Sequence, residues 1–552
     1  WLWMQSSVTV AIPLLLLAVD HAREHRRFAR SVALSSVSML LFLAGGYPFM
    51  VLFGAAAAFA YAIAAAGGRP AAETRRTAGR LALSAALAAG VLLPAILVSA
   101  RMIRASGQVA ARAGLADELR LPPRHAILFA FPLALGDPLA GDYRPLTGSR
   151  FETWVETAVG VGPAALGLAL LGAAQRRNRR LWVYGSGLAA ATAAILYVAP
   201  VRGFFASLPV LSGVLLERVK ILAVLGVAIG AAAGAELVRR AMGRSPALAR
   251  LAASLPFAIG IPLILVAARL YPAVLPKDAV FVETPGLRRL ARETAGPSRF
   301  LGTGWTLYPD LGSAFGLEDV RGHLMFEETW RRLLSAADPR IYGHTGTLLI
   351  ADARRLRPDS PVLDLLGVSA IAASPGTVLP PEGLAKIYEG PDLALYRRAS
   401  AFPRFFLVDR WQPGGVGQVM EASRESLRTT AFVQERDAGR LPPPPPRAAP
   451  AGRVRIESYG SDRFRLRVNA RAPALLVSSQ KLFPPYWAAR LDGAPAAPIR
   501  VDGLFFGLPV PAGRHVVDGR FGIPAAELAV SAAAALAILG LLAISFRPDR
   551  TR

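Results

Sequence analysis

Long apolar stretches broken by short polar ones run through the first half of the chain, and the rhythm changes only past the midpoint. Nine stretches have the length and apolarity of membrane helices: 2–19, 31–45, 48–66, 81–100, 155–174, 181–200, 219–237, 251–271 and 526–546. A hydrocarbon core about 30 Å thick takes roughly 20 helical residues, so the second stretch is short. Between 276 and about 410 the signals mix: EETWRRLLSAADPR, from Glu327, has helical spacing, whereas VLDLLGVSAIAAS and LALYRRASAFPRFFLVD hold short apolar runs bounded by Gly and Pro, as buried strands do. Further on, RVRIESYG, RFRLRVNA, ALLVSSQ, WAARLDG, APIRVDGLFFGLPV and HVVDGRF alternate at period two between turn signals, which predicts a small antiparallel sandwich.

The pattern therefore predicts a polytopic α-helical membrane protein. A transmembrane helical domain spans 1–272, an extracytoplasmic α/β domain 273–440, a Pro-rich linker 441–450, a β-sandwich 451–524 and a last transmembrane helix 525–547. The linker rests on LPPPPPR, which is held in extended polyproline form. Within the sandwich, FPPYWAARLDG places Phe483, Tyr486 and Trp487 ahead of an Asp492-Gly493 hairpin turn.

Composition agrees with a membrane location: 53% of the 552 residues are hydrophobic and 18% charged, with a mean hydropathy of +0.38. No cysteine is present, so disulfide frameworks and thiolate metal sites are excluded. A net charge of +25 would suit nucleic acid, yet its distribution argues otherwise. Arg23, Arg26, Arg27 and Arg30, then Arg69, Arg75, Arg76 and Arg80, then Arg176, Arg177, Arg179 and Arg180, then Arg239, Arg240, Arg244 and Arg250, and finally Arg547, Arg550 and Arg552 fall on alternate loops. That is the cytoplasmic bias of basic loops, with the amino terminus outside and the carboxyl tail in the cytoplasm. Membrane lipids with anionic head groups, rather than nucleic acid, are the partners this implies. Trp1 follows no initiator Met and no basic leader, so the chain is expected to continue a longer sequence upstream.

Candidate chemistry concentrates in the outer loops. Asp137, Asp142, Arg144, Glu152 and Glu156 fall close together, and Glu217, Arg218 and Lys220 precede another helix. The stretch VRGFFASLPVLSGVLLERVK is apolar enough to lie in the interface or re-enter the membrane. GDPLAGDYRP also reads simply as a pair of turns with Asp bonded to backbone, Arg218 and Lys220 as interfacial side chains, and Glu156 as a carboxylate at a helix start. Tyr486 and Trp487 suit stacking on sugar rings, or equally a sandwich core. The six histidines show no metal-ligand spacing in the outer regions, and no P-loop is present.

LLPAILVSARMIRAS, LFAFPLALGD, ETAVGVGPAALGLALLGAAQRRNRR, GLEDVRGHLMF, LLGVSAIAAS, AFPRFFLV, YWAARLDG and GLPVPAGRHVV, in this order over nearly the whole chain, resemble the bacterial YfhO-type membrane proteins, relatives of the GT-C glycosyltransferases. Pro484-Pro485-Tyr486-Trp487 stands where that family has a Tyr-Pro-Gly-Trp arrangement. The resemblance implies a GT-C-like fold in the bacterial plasma membrane. It implies a polyprenyl-phosphate sugar donor, a cell-envelope acceptor and an outer-face acidic residue that acts as base or holds a divalent cation, Mg or Mn. The principal acidic residue of GT-C enzymes lies in the first outer loop after the first helix, and no residue of this sequence takes that role. Asp137 and Asp142 are then candidates for acceptor or metal binding, Glu156 matches a recurrent acidic position, and Arg144 and Arg218 are candidates for the phosphate. Two other classes fit the same sequence, a non-catalytic envelope-binding protein and a transporter of lipid-linked saccharide.

Overall fold

The computed structural model describes residues 2–24, 27–107, 112, 114–149, 152–174, 179–209, 211–242, 245–270, 280–323, 326–341, 348–439, 441 and 451–546. The chain divides into two compact units, one of 1–97, 110–275 and 526–552, the other of 98–109 and 276–525. Nearly all of the Pro-rich linker lies outside the described residues, as do Arg26, Arg176, Arg177, Arg244 and the arginines of the carboxyl tail.

The first unit is helical. Among the described residues three helices are long and apolar enough to cross a membrane, Pro48–Ala66, Leu216–Met242 and Ala525–Ser545. Two more spans result if each of two bent pairs counts as one: Ala71–Val91 with Leu93–Ala105 turns by 75°, and Arg179–Tyr197 with Ala199–Ser207 by 85°. Nine uninterrupted spans are therefore not what the structure shows. Proline gives the reason. Pro94 and Pro200 each sit in the first turn of the second helix of a pair, where the missing N–H and the restricted preceding residue break the ladder. The stretch 155–174 is cut similarly: Gly162, at φ +81°, and Pro163 start its helix eight residues late, at Pro163. The stretch at 31–45 forms the shorter apolar helix Phe28–Ala44, and the stretch at 251–271 makes up most of the 25-residue helix Pro246–Leu270.

Glycine sets the closest helix contacts. A Cβ on Gly226 would lie 2.4 Å from the Gly185 carbonyl oxygen, and one on Gly234 would lie 1.9 Å from that of Leu168. Backbone thus meets backbone along Lys220–Met242, the small-residue mode of helix packing in membranes.

The second unit holds three sheets. The first has β1 (Arg299–Gly302), β2 (Val368–Ala373), β3 (Leu384–Glu389) and β4 (Ala394–Arg398) in the order β1-β2-β4-β3, with β1 and β2 parallel. The second is six-stranded, made of β5 (Phe405–Val408), β6 (Arg410–Pro413), β7 (Thr430–Val433), β10 (Ala474–Lys481), β13 (Ile499–Val501) and β14 (Phe505–Val510). The third is five-stranded, made of β8 (Gly452–Tyr459), β9 (Arg463–Ala470), β11 (Trp487–Leu491), β12 (Ala494–Ala496) and β15 (Gly513–Phe521).

The sandwich is present, with Phe405, Phe464, Leu466, Leu476, Trp487, Phe506 and Val517 packed between its sheets. Its larger sheet, however, takes strands from both sides of the Pro-rich segment: β10 pairs with β5, and β13 with β7. Asp492 and Gly493, at φ 51° and 83°, make the β11–β12 hairpin turn that this pair favours.

An ion pair anchors the core beside the first sheet. Asp364 is fully buried, accepts from Arg398 Nη2 at 2.6 Å and from Ser400 Oγ at 2.6 Å, and also pairs with Arg424. Asp364→Ala would strand the Arg398 charge in the interior, at a cost of about 3–5 kcal/mol. We expect a matching drop in the urea midpoint of the full chain in detergent, followed by tryptophan fluorescence. Asp364→Asn, which keeps the shape, should lose less.

Candidate functional site

Three local features of the helical unit bring four polar side chains together. Tyr47 precedes Pro48, the residue that opens Pro48–Ala66. Glu156 lies in the short helix Trp154–Thr157, whose Thr153 caps its N–H at 3.3 Å. Arg218 occupies a 3₁₀ turn, Leu216–Val219, that leads into Lys220–Met242.

Arg218 grips Glu156 with two donors: Nε lies 3.0 Å from Oε2, and Nη2 bonds Oε1. Its Nη1 donates to the Tyr47 hydroxyl, and its guanidinium lies 5.6 Å from the centre of the Tyr47 ring. Lys220 Nζ donates to the main-chain oxygen of Glu156. Arg218 and Glu156 side chains keep 14% and 16% of their surface exposed, so the pair is screened from bulk water but reachable.

Beside this pair, in the same turn, Glu217 is fully buried with Arg202 Nη2 at 2.7 Å. Arg202 also donates to the main-chain oxygens of Ala116 and Leu119, the latter at 2.7 Å. Among the described residues its Nε and Nη1, and both oxygens of Glu217, lack an aligned hydrogen bond even though the charges touch. Three cations thus face two carboxylates, with polar atoms left over. Buried groups of this kind call for a further partner, such as water or a ligand.

A second layer holds the outer loop in place. His125, fully buried, meets Tyr197 Oη at 2.8 Å through Nδ1 and Thr157 O at 2.8 Å through Nε2. Burial lowers its pKa to about 4, with Lys220 adding to the fall against the hydrogen bond to Thr157. Glu152 accepts from the main-chain N–H groups of Leu146, Thr147 and Gly148 and from the Thr147 hydroxyl. Burial acts to raise its pKa, but these bonds hold it below the usual carboxylate value.

The structure therefore joins two of the sequence candidates, Glu156 and Arg218, across 62 residues of chain. Asp137, Asp142 and Arg144 lie elsewhere. Asp137 Oδ1 accepts from Leu139 N at 2.9 Å, Asp142 Oδ1 accepts from Asp137 N at 2.5 Å, and Asp137 Oδ2 lies 2.6 Å from Arg269 Nη2. This is the paired-turn reading of GDPLAGDYRP. Arg144 is exposed, and no hydrogen bond or ion pair joins these three to Glu156 or Arg218 among the described residues.

Tyr486 and Trp487 take packing positions. They are 1% and 6% exposed; Trp487 packs on Phe464, Phe506 and Phe521, and the Tyr486 hydroxyl accepts from Arg101 Nη1 at 2.5 Å. Their faces are taken up by the protein and none is presented to a sugar.

Among the described residues no three His, Asp or Glu side chains converge as metal ligands, and the carboxylates of the cluster each face an arginine. The donor set does not fit the divalent cation that the family resemblance implies.

Tyr47, Arg202 and His125 escaped the sequence reading. Arg202 carried a usable signal, since a lone arginine within VRGFFAS has nothing local to solvate it. Tyr47 carried only its place before a helix-opening proline.

No family model and no curated protein sequence matches the chain. Among solved structures, cryo-EM structures of the arabinofuranosyltransferase AftD from Mycobacteria align with 94–95% of it at 12% identity and TM-scores of 0.38–0.39. The chain spans about half their length, 47–49%. A likeness of that degree fixes neither the fold nor the site of this chain.

The depressed pKa of His125 makes stability depend on pH. A histidine that resists protonation when folded takes its proton more readily unfolded, so its contribution is complete above pH 6.5 and falls away as pH drops towards 4. Between neutrality and pH 5 the loss is about 2 kcal/mol. The detergent-solubilised chain should lose thermal stability over that interval, and His125→Asn, which cannot titrate, should lose correspondingly less.

Proposed function

We propose that the chain is an integral membrane glycosyltransferase of GT-C type, which moves a sugar from a polyprenyl-phosphate donor onto a cell-envelope acceptor at the outer face of the bacterial plasma membrane. In this reading the apolar segments complete nine spans, and the carboxyl tail is cytoplasmic. The observation that carries the proposal is the Arg218–Glu156 pair, flanked by Lys220 and Arg202.

Glycosyl transfer needs a base for the acceptor hydroxyl and positive charge for the departing phosphate. The pair stores both in one contact. A guanidinium offers the same two-pronged face to a carboxylate and to a phosphate. When the donor phosphate takes that face of Arg218, the Glu156 carboxylate is released. It then accepts the proton of the acceptor hydroxyl as that oxygen bonds the anomeric carbon. The bond from the anomeric carbon to the phosphate oxygen breaks, its electron pair stays on the phosphate, and polyprenyl phosphate leaves beside Arg218 and Lys220. Tyr47 keeps the guanidinium in place throughout.

The test compares envelope glycans, by mass spectrometry, in a deletion strain complemented with wild type, Glu156→Gln, Arg218→Lys or Arg120→Gln, at matched protein levels. We expect Glu156→Gln to lower transfer by about 100-fold or more, the size of a lost general base. Arg218→Lys, which keeps charge but loses the fork, should lower it by about 10-fold or more. The exposed Arg120 variant should match wild type. If Glu156→Gln is fully active where the deletion is not, the transferase reading of this site fails, and a binding or transport role takes its place.

A further inference from the structure

The motif GLEDVRGHLMF plays no part in the site above, yet its side chains shape a second one, in the other unit. Arg321 is 2% exposed and donates to the main-chain oxygens of Gly304 at 3.0 Å, Thr306 at 2.9 Å and Leu307. Asp319, 2.8 Å from Arg321 Nη2, balances its charge. Gly302, where β1 ends, has to be glycine, because a Cβ there would lie 2.1 Å from Arg321 Nη2. Further bonds pin the loop: Gly304 N donates to Ala351 O at 2.7 Å, and Thr306 Oγ1 meets Ser374 Oγ at 2.7 Å. Leu307 and Asp310 are held at φ 47° and 70°, conformations that persist only where surrounding structure enforces them.

This fixed loop carries two aromatic rings outward. Trp305 is 62% exposed and Tyr308 36%. Their rings are nearly parallel, 20° apart, with centroids 5.9 Å apart. That separation is too wide for face-to-face contact, so the rings lie offset as steps of one surface. His323 packs against Tyr308 at right angles, with centroids 5.3 Å apart at 88°, and the His323 main-chain N–H donates to Asp310 Oδ2 at 3.0 Å. Burial lowers the His323 pKa to about 4, so the imidazole adds no charge at neutral pH.

The rim is polar and has capacity to spare. The second oxygen of Asp310 accepts no hydrogen bond among the described residues. Lys481 Nζ stands 4.4 Å from the centre of the buried Trp330 ring, with no hydrogen-bond acceptor among the described residues. Glu327 Oε2 is buried without a hydrogen-bond partner among the described residues.

We infer that Trp305 and Tyr308, with Asp310, form a binding site for a neutral saccharide chain. Offset aromatic steps receive the C–H faces of successive sugar rings. Sugar hydroxyls donate, which matches the open carboxylate oxygen of Asp310. The same carboxylate repels an anionic ligand, so a neutral chain suits the platform. A lipid surface would be met by further apolar or basic side chains, where this platform has Asp310. The inference does not rest on the transferase reading, and Glu156→Gln is expected to bind saccharide as wild type does.

The experiment uses the full chain in detergent micelles with neutral oligosaccharides of three to six hexopyranose or pentofuranose units. Saturation-transfer NMR and calorimetry read binding, and a thermal melt reads folding. Saturable binding of at least one series is expected. Trp305→Ala should weaken it by about 10-fold or more, and Asp310→Asn by several-fold, with the melting midpoint of Trp305→Ala unchanged because its ring is exposed. No saturable binding to any oligosaccharide overturns the inference, as does equal affinity of the Trp305→Ala variant. Loss of partitioning onto phosphatidylcholine vesicles by Trp305→Ala, without loss of saccharide binding, would reassign the platform to the membrane.

Discussion

A guanidinium removed from water has to be met by carboxylates and carbonyl oxygens, or the fold does not close around it. The chain meets this demand repeatedly: Arg398 with Asp364 in the core, Arg321 with Asp319 under the aromatic loop, and Arg218 with Glu156 in the helical unit. Arg299 and Arg404 share Glu318, with Tyr459 donating to the same carboxylate at 2.7 Å. Burial acts to raise the pKa of Glu318, and the two arginines reverse that and hold it low.

These pairs differ in how completely they are satisfied. Arg321 and Arg398 place their donors on named oxygens. Arg202 and Glu217 touch but leave buried polar atoms unbonded among the described residues, next to a carboxylate that Arg218 grips with two donors. A finished network is stiff, while an unfinished one retains affinity for something else.

Hydropathy made the apolar segments and the period-two strands legible, because both depend on local spacing. It did not reveal the bends at Pro94 and Pro200, since the sum over a window is blind to a missing N–H, although both prolines were in view. Nor did it show β5 pairing with β10 across the Pro-rich segment, because pairing partners are chosen by distant strands. The site divides in the same way. Glu156 and Arg218 stood out as charges at helix mouths, but their contact and the part of Tyr47, 171 residues from Arg218, depend on packing that no local pattern encodes. The Asp-Gly hairpin succeeded because its turn needs only two adjacent residues.

The glycine contacts of Lys220–Met242 bear on how any ligand enters. With Gly226 against the Gly185 carbonyl and Gly234 against that of Leu168, there is no side-chain cushion along which the helix can slip or roll. Lys220, and Arg218 just ahead of it, are therefore mounted on a fixed post. What is left to move is the far end of each side chain, so the exchange of one anion for another at Arg218 works as a latch rather than as a hinge.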